Sequence, residues 1–325
     1  MFKPLISCAA ATILTLGTAI GASHAAYPER PVSLVVTSTP GSPLDILGRL
    51  LAAEAGKELG QTVIVENRPG ASGNVGGSYV ARSAPDGHTV MLTLDNQVTV
   101  NPLVITNTQF NPATDLEPVA RIGAFSQVLI APKSLGVSNL KEFVELARSR
   151  DLTYATAGIG SPGHLTMAAF ALAADLPMTH VPYKGNPPAV NDLLAGVVDT
   201  GFLVVSGVLP HIQSGAFVPL AVSGDTRNTL LPDVPTVAES GIPGTANFNS
   251  TFGYLVAMPK GTPTELIDRW NALLHDILRR PETQERLKMM DTEPVFASPA
   301  ETREFLESET KRWQEVVEKA NIRMN

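Results

Sequence analysis

Val32-Ser33-Leu34-Val35-Val36-Thr37-Ser38-Thr39-Pro40-Gly41-Ser42-Pro43-Leu44-Asp45 compresses a strand, a turn and the beginning of a helix into one run. Val32–Val36 is apolar and rich in β-branched residues, as a buried strand requires. Over Pro43–Leu59 apolar residues recur at helical spacing, with Leu44, Leu47, Leu50 and Leu51 on one face and Gly60 as the stop. Ser42 stands where an N-cap belongs and Pro43 suits the first helical position. The phrase returns at Gly160-Ser161-Pro162-Gly163-His164, behind a second apolar run at 152–157. Two strand-to-helix turns of one design mark an α/β protein.

Outward from these turns the alternation continues. Strands are expected over 63–66 and 89–94, with a helix near 74–83 behind the loop 67–73. Residues 119–131 form a run long and apolar enough for a strand crossing between two lobes. Helices are expected over 140–148, 161–174 and 188–195, with another beginning at 209–213. Strands are expected at 152–157, 179–182, 200–205 and 218–223, and residues 255–258 read as the return crossing. The tail is helical over 264–280 and 302–320. Trp270 and Trp313 sit there among other large apolar residues at helical spacing, which assigns them to the core.

The beginning of the chain has the form of an export signal. Lys3 supplies the positive charge, residues 5–20 an uncharged apolar stretch, and Ser23-His24-Ala25 a small-x-small site, so a cut is expected after Ala25. The one cysteine, Cys8, falls inside that segment, which leaves the mature chain without disulfide or thiolate chemistry. Of the 325 residues, enough remain for two domains. With 44% hydrophobic and 17% charged residues the chain is globular, and a net charge of −7 argues against nucleic acid as a partner.

A helix beginning presents unpaired N–H groups and a partial positive charge, so it is a receptor for carboxylate or phosphate. Gly41, Gly158 and Gly160 let backbone approach a ligand closely. Ser42…Asp45 also has the form of a capping box, as do other turns in this chain, so each turn is either a receptor or only a capped helix start. Asp45 would compete with an anionic ligand for the same donors.

Enzyme motifs fail on inspection. Gly158-Ile159-Gly160-Ser161-Pro162-Gly163 matches G-x-G-x-x-G, but the next strand ends His180-Val181-Pro182-Tyr183-Lys184, without the acid a dinucleotide site needs. There is no nucleophile elbow, Walker loop, H-E-x-x-H or EF-hand pattern. His88, His164, His180, His211 and His275 show no ligand-like spacing, so no metal and no cofactor are expected. His164 alone joins a candidate turn, either bonding a ligand or capping its own helix.

Several longer phrases resemble one family in order and spacing: Tyr27-Pro28-Glu29-Arg30-Pro31, Glu66-Asn67-Arg68-Pro69-Gly70-Ala71-Ser72-Gly73, Ala84-Pro85-Asp86-Gly87, His180 to Gly185, and Leu231-Pro232-Asp233-Val234-Pro235-Thr236 with Ala238-Glu239. On these the chain resembles the Bug family of extracytoplasmic solute-binding proteins of tripartite tricarboxylate transporters. The resemblance implies a two-lobed, type II-like periplasmic binding fold joined by two crossing strands, with residues 26–124 and 250–325 as one lobe and 125–249 as the other. It implies a ligand carboxylate held by Pro40, Gly41, Ser42 and Asp45 in one lobe and by Gly158, Gly160, Ser161 and His164 in the other. Gly73 and Asn74 border the same cleft, and Tyr183 lies on its side. Lys184 and Arg68 are assigned structural or surface roles. The family's first turn reads Pro-Phe-Pro-Pro-Gly-Gly; Thr37 to Ser42 here loses the aromatic and gains hydroxyls, Ser38 among them, which implies a smaller or more polar pocket.

The expectation is therefore a monomeric periplasmic solute-binding protein, not an enzyme, that captures a small organic acid and hands it to a membrane permease. A sensor presenting its closed form to a histidine kinase would share fold and pocket. An α/β enzyme would need a nucleophile–base pair, for which the sequence offers no candidate, and a purely structural envelope protein would bind nothing.

Overall fold

The computed structural model describes residues 27–105, 108 and 110–324; the expected signal segment with its cut after Ala25, and Cys8, lie outside them. Along the chain run β1 (Val32–Val36), α1 (Pro43–Leu59), β2 (Val63–Asn67), α2 (Asn74–Ala81) and β3 (Thr89–Leu94). Three short helices follow, α3 (Asp95–Thr99), α4 (Asn101–Val104) and α5 (Pro112–Asp115), then β4 (Leu116–Phe125) and β5 (Gln127–Pro132). Next come α6 (Leu140–Ser149), β6 (Leu152–Thr156), α7 (Pro162–Ala174), β7 (Met178–Pro182), α8 (Asn186–Leu194), β8 (Gly201–Val204), α9 (Val205–Gln213) and β9 (Phe217–Val222). Last are β10 (Phe252–Pro259), α10 (Thr264–Arg279), α11 (Pro281–Met289), β11 (Glu293–Pro294) and α12 (Pro299–Lys319).

These elements form two α/β halves. The larger sheet has the order β11-β4-β10-β3-β1-β2, with β1 parallel to both β2 and β3 and β10 antiparallel to β3 and β4. Val32, Val35 and Val36 are fully buried because helices cover both faces, which is why β1 reads as continuous rather than alternating apolar sequence. Leu47 and Leu51 of α1, Trp270 of α10 and Trp313 of α12 fill its main core, as the helical spacing predicts. The smaller half combines the sheet β8-β5-β9 with the parallel pair β6-β7. Its helices pack on both sides, Phe143 and Phe170 in one core and Ala189, Leu193 and Val208 in the other. Leu165 and Ala168 of α7 join the larger core, where α7 meets α12. No helix among the described residues is long and apolar enough to cross a membrane.

The crossings differ in detail from the sequence reading. The run 119–131 is two strands broken at Ser126, because β4 belongs to the larger sheet and β5 is the centre of the smaller one. The return strand β10 is longer than 255–258 and lies wholly in the larger sheet, so the crossing itself precedes it at Ser250. Ser223 ties the two passages together. Its N–H donates to Gln127 O at 2.8 Å. Its hydroxyl accepts from Gln127 N–H at 2.9 Å and donates to Ser250 O at 2.6 Å. Ser250 N–H returns a bond to Ser223 O at 2.7 Å.

Candidate functional site

Open α/β sheets bind ligands at the carboxyl ends of strands, where the chain passes into a helix. Here β1, β3, β6, β7 and β8 release into the beginnings of α1, α3, α7, α8 and α9 around one cavity of about 1130 Å³. Ser38, Ser42 and Leu44 face it from one half; Gly158, Gly160, Ser161, Tyr183 and Val204 face it from the other. A hydrogen bond spans the two sides, from Asn96 Nδ2 to Gly160 O at 3.1 Å, in a buried position.

The two rhyming turns are built differently. In the first, Ser42 Oγ accepts from Asp45 N–H at 3.2 Å and shares a hydrogen with Ser38 Oγ at 2.6 Å. Asp45 is buried and fully engaged: Gly41 N–H donates to Oδ2 at 2.8 Å, Arg49 Nε to the same oxygen at 3.0 Å, and Asn67 Nδ2 to Oδ1 at 2.9 Å. Burial alone would raise its pKa, but the bonds from Arg49, Gly41 and Asn67 outweigh it and hold the carboxyl below its ordinary value. In the second turn Ser161 makes no side-chain cap; its hydroxyl donates to Gly158 O at 2.7 Å. Gly160 N–H donates to His164 Nδ1 at 3.1 Å. Gly41, Gly158 and Gly160 have φ of +80°, +128° and +74°, conformations that favour glycine.

His164 is buried behind its turn and stacks on His180 with ring centroids 3.8 Å apart. Burial, with His180 alongside, pushes His164 down to about 3, and burial pushes His180 down to about 4. Both rings are neutral at pH 7, which lets His164 accept the Gly160 N–H.

Of the residues singled out in sequence, Ser38, Ser42, Gly158, Gly160, Ser161 and Tyr183 line the cavity. Pro40, Gly41, Asp45, Gly73, Asn74 and His164 do not; they stand outside its lining and shape the turns that do. Gly73 has φ +92° and lies so close to Gln97 that a Cβ there would fall 2.0 Å from Oε1, while Asn74 Oδ1 accepts from Asn101 Nδ2 at 3.1 Å. The Tyr183 hydroxyl donates to Asp192, so the hydroxyl is already engaged. Lys184 is exposed, as a surface role allows, and borders the cavity as the one charged residue among the described residues lining it. Arg68 pairs with Glu66 at 3.0 Å and covers the Tyr79 ring, as a surface role requires.

Sequence reasoning missed Leu94, Asn96, Gln97, Phe125, Gln127, Tyr254, Met289, Met290 and Met324. Asn96 and Gln97 follow β3 as Ser42 follows β1, so the strand-to-helix rule would have found them had the short α3 been read. The others come from strands and helix ends that carry no local signal. The hydroxyls at Ser38 and Ser42 bond to each other, and apolar side chains from distant elements furnish much of the cavity wall.

The model of the tripartite tricarboxylate transporter family receptor matches residues 47–322. The protein BugT of Bordetella pertussis is 33% identical over 315 residues, 96% of each chain. Among solved structures, an R. palustris protein with adipate aligns at a TM-score of 0.81 with 34% identity, covering 91% of this chain and 99% of its own. MatC from Rhodopseudomonas palustris with bound malate aligns at 0.77 with 29% identity, covering 90% and 100%. With its two α/β halves and their shared cavity, the chain belongs to the tripartite tricarboxylate transporter receptor family.

Proposed function

We propose that the chain is an exported periplasmic solute-binding protein that captures a carboxylate-bearing metabolite between its lobes and delivers it to a tripartite tricarboxylate-type permease. The lobes are residues 26–124 with 250–325, and residues 125–249, and the protein acts as a monomer without catalysing a reaction. One observation carries the reading: glycine-bearing helix beginnings from the two halves meet at a single large cavity. Carboxylates bound by the adipate and malate proteins support it.

Helix-start N–H groups, Lys184 and the hydroxyls of the turns neutralise the carboxylate, in a cleft where exclusion of water strengthens each bond. Ser38, Ser42, Gly158, Gly160, Ser161 and Tyr183 touch the ligand; Pro40, Gly41, Asp45, Gly73, Asn74 and His164 hold the turns in shape. Closure follows because contacts from both lobes exist only when the lobes approach, so the ligand favours the closed form by its differential affinity. The permease reads that form. The test is mass spectrometry of small molecules released from freshly purified protein, followed by a thermal-shift panel of organic acids. A released carboxylate that raises the melting temperature supports the reading. A panel in which no acid shifts it would falsify it.

A further inference from the structure

The two sides of the cleft are not electrically alike. On the smaller half, α7, α8 and α9 all begin at the cavity and none carries an acidic residue in its first turn. The α7 N-cap serine makes no side-chain bond to its own helix, and Lys184 brings a basic side chain to this side. On the larger half, α1 and α3 carry Asp45 and Asp95 in their first turns. Asp45 already takes the Gly41 N–H, and Asp95 is buried against Arg121 at 3.2 Å. At α1 a resident carboxylate therefore takes a donor that a ligand's would use, and at α3 the first-turn acid pairs with Arg121.

Several neutral polar groups of the larger half are already engaged as well. Ser38 bonds Ser42, Asn96 bonds Gly160 O, and Gln97 Oε1 accepts from the hydroxyls of Thr37 and Thr93. Most of the rest of that wall is hydrocarbon and thioether, from Leu44, Ile46, Leu94, Met289 and Met290, with the Tyr254 ring and the Ser72 hydroxyl beside them. Ile46 is 51% exposed and Met289 72%, so both side chains are open to pack against a bound apolar group. Methionine adapts its shape to irregular apolar partners. The cavity, at about 1130 Å³, stands at the upper end of sites built for drug-sized ligands, far larger than a four-carbon diacid needs.

Building on the carboxylate-receptor reading, we infer that the ligand is a one-headed acid: a single carboxylate held by the smaller half and an apolar body, aliphatic or aromatic, laid against the larger half. A second carboxylate at the far end would meet Leu44, Ile46 and the methionines with no charged group to receive it.

Calorimetry on the full mature protein tests this with butanoate, hexanoate, octanoate, 4-phenylbutanoate, octanedioate, adipate, malate and octanamide. Affinity should rise about three- to fourfold per methylene along the alkanoates, from the ~0.8 kcal/mol of each buried CH₂. Octanedioate should bind roughly tenfold or more weakly than octanoate, for want of partners at its second head. Octanamide should fail, as it lacks the charge. Ile46→Arg, at a half-exposed position where folding is undisturbed, should draw octanedioate toward or past octanoate. Diacids binding while alkanoates and 4-phenylbutanoate do not, or equal affinity for octanoate and octanedioate, overturns the one-headed ligand and leaves the carboxylate receptor intact. Binding of none of these acids removes both.

Discussion

Ser42 and Ser161 hold the same place in the same phrase, yet only Ser42 caps its helix. Ser42→Ala should therefore cost about 1 kcal/mol in urea unfolding, and Ser161→Ala should cost less. Equal losses would show that the two turns are alike after all. The stacked histidines give a second prediction. The unfolded chain takes up their protons near pH 6.5, whereas the folded chain resists until about 4 for His180 and about 3 for His164. Their contribution is complete above pH 6.5 and is lost progressively as pH falls toward 4 and then 3. Asp95 and Asp291, which burial pushes up to about 6, act in the opposite sense over part of that range. The informative quantity is thus the difference between wild type and the His164→Gln/His180→Gln variant, which should lose less stability than wild type as pH falls from about 6.5 to about 4.5. Parallel profiles would show that the pair titrates normally. Capping was legible in sequence because it is local. The histidine stack was not, since it joins α7 to β7 across positions no spacing rule connects.

Among the elements, α7 is held close against β8. Its second residue, Gly163, runs so near β8 that a Cβ would stand 2.5 Å from Phe202 O. Gly163→Ala should cost about 1–3 kcal/mol by overpacking, read by chemical denaturation, and should weaken ligand binding by displacing the helix beginning. At Gly160, φ of +74° and the neighbouring Met324 and Val104 side chains leave a large residue no relaxed position. Gly160→Leu should abolish binding in calorimetry with a smaller effect on folding; unchanged affinity would remove this turn from the site. Most elements were readable because apolar periodicity and capping residues recorded them. The short helices α3, α4 and α5, and α11, were not, since a helix of one or two turns shows too little period. That omission hid Asn96, Gln97 and Met289, and with them much of the cavity's larger-half wall.

At the scale of the whole molecule, alternation of strands and helices gave two α/β halves, but the meeting of their surfaces depends on contacts between residues far apart in sequence. Asn96 and Gly160 are one such pair, and their bond exists only while the halves are close. Asn96→Ala should remove about 0.5–1.5 kcal/mol from the closed form, lowering ligand affinity several-fold and increasing the ligand-free radius of gyration in small-angle scattering. If neither changes, the bond does not favour closure. The passages between halves carry a different consequence. Ser223 stitches Gln127 to Ser250 through both its backbone and its hydroxyl, so neither connection can slide along the other without breaking several bonds at once. Two straps sewn together can still twist. Any relative movement of the halves that keeps these bonds therefore turns about this common seam, where the two connections act as one.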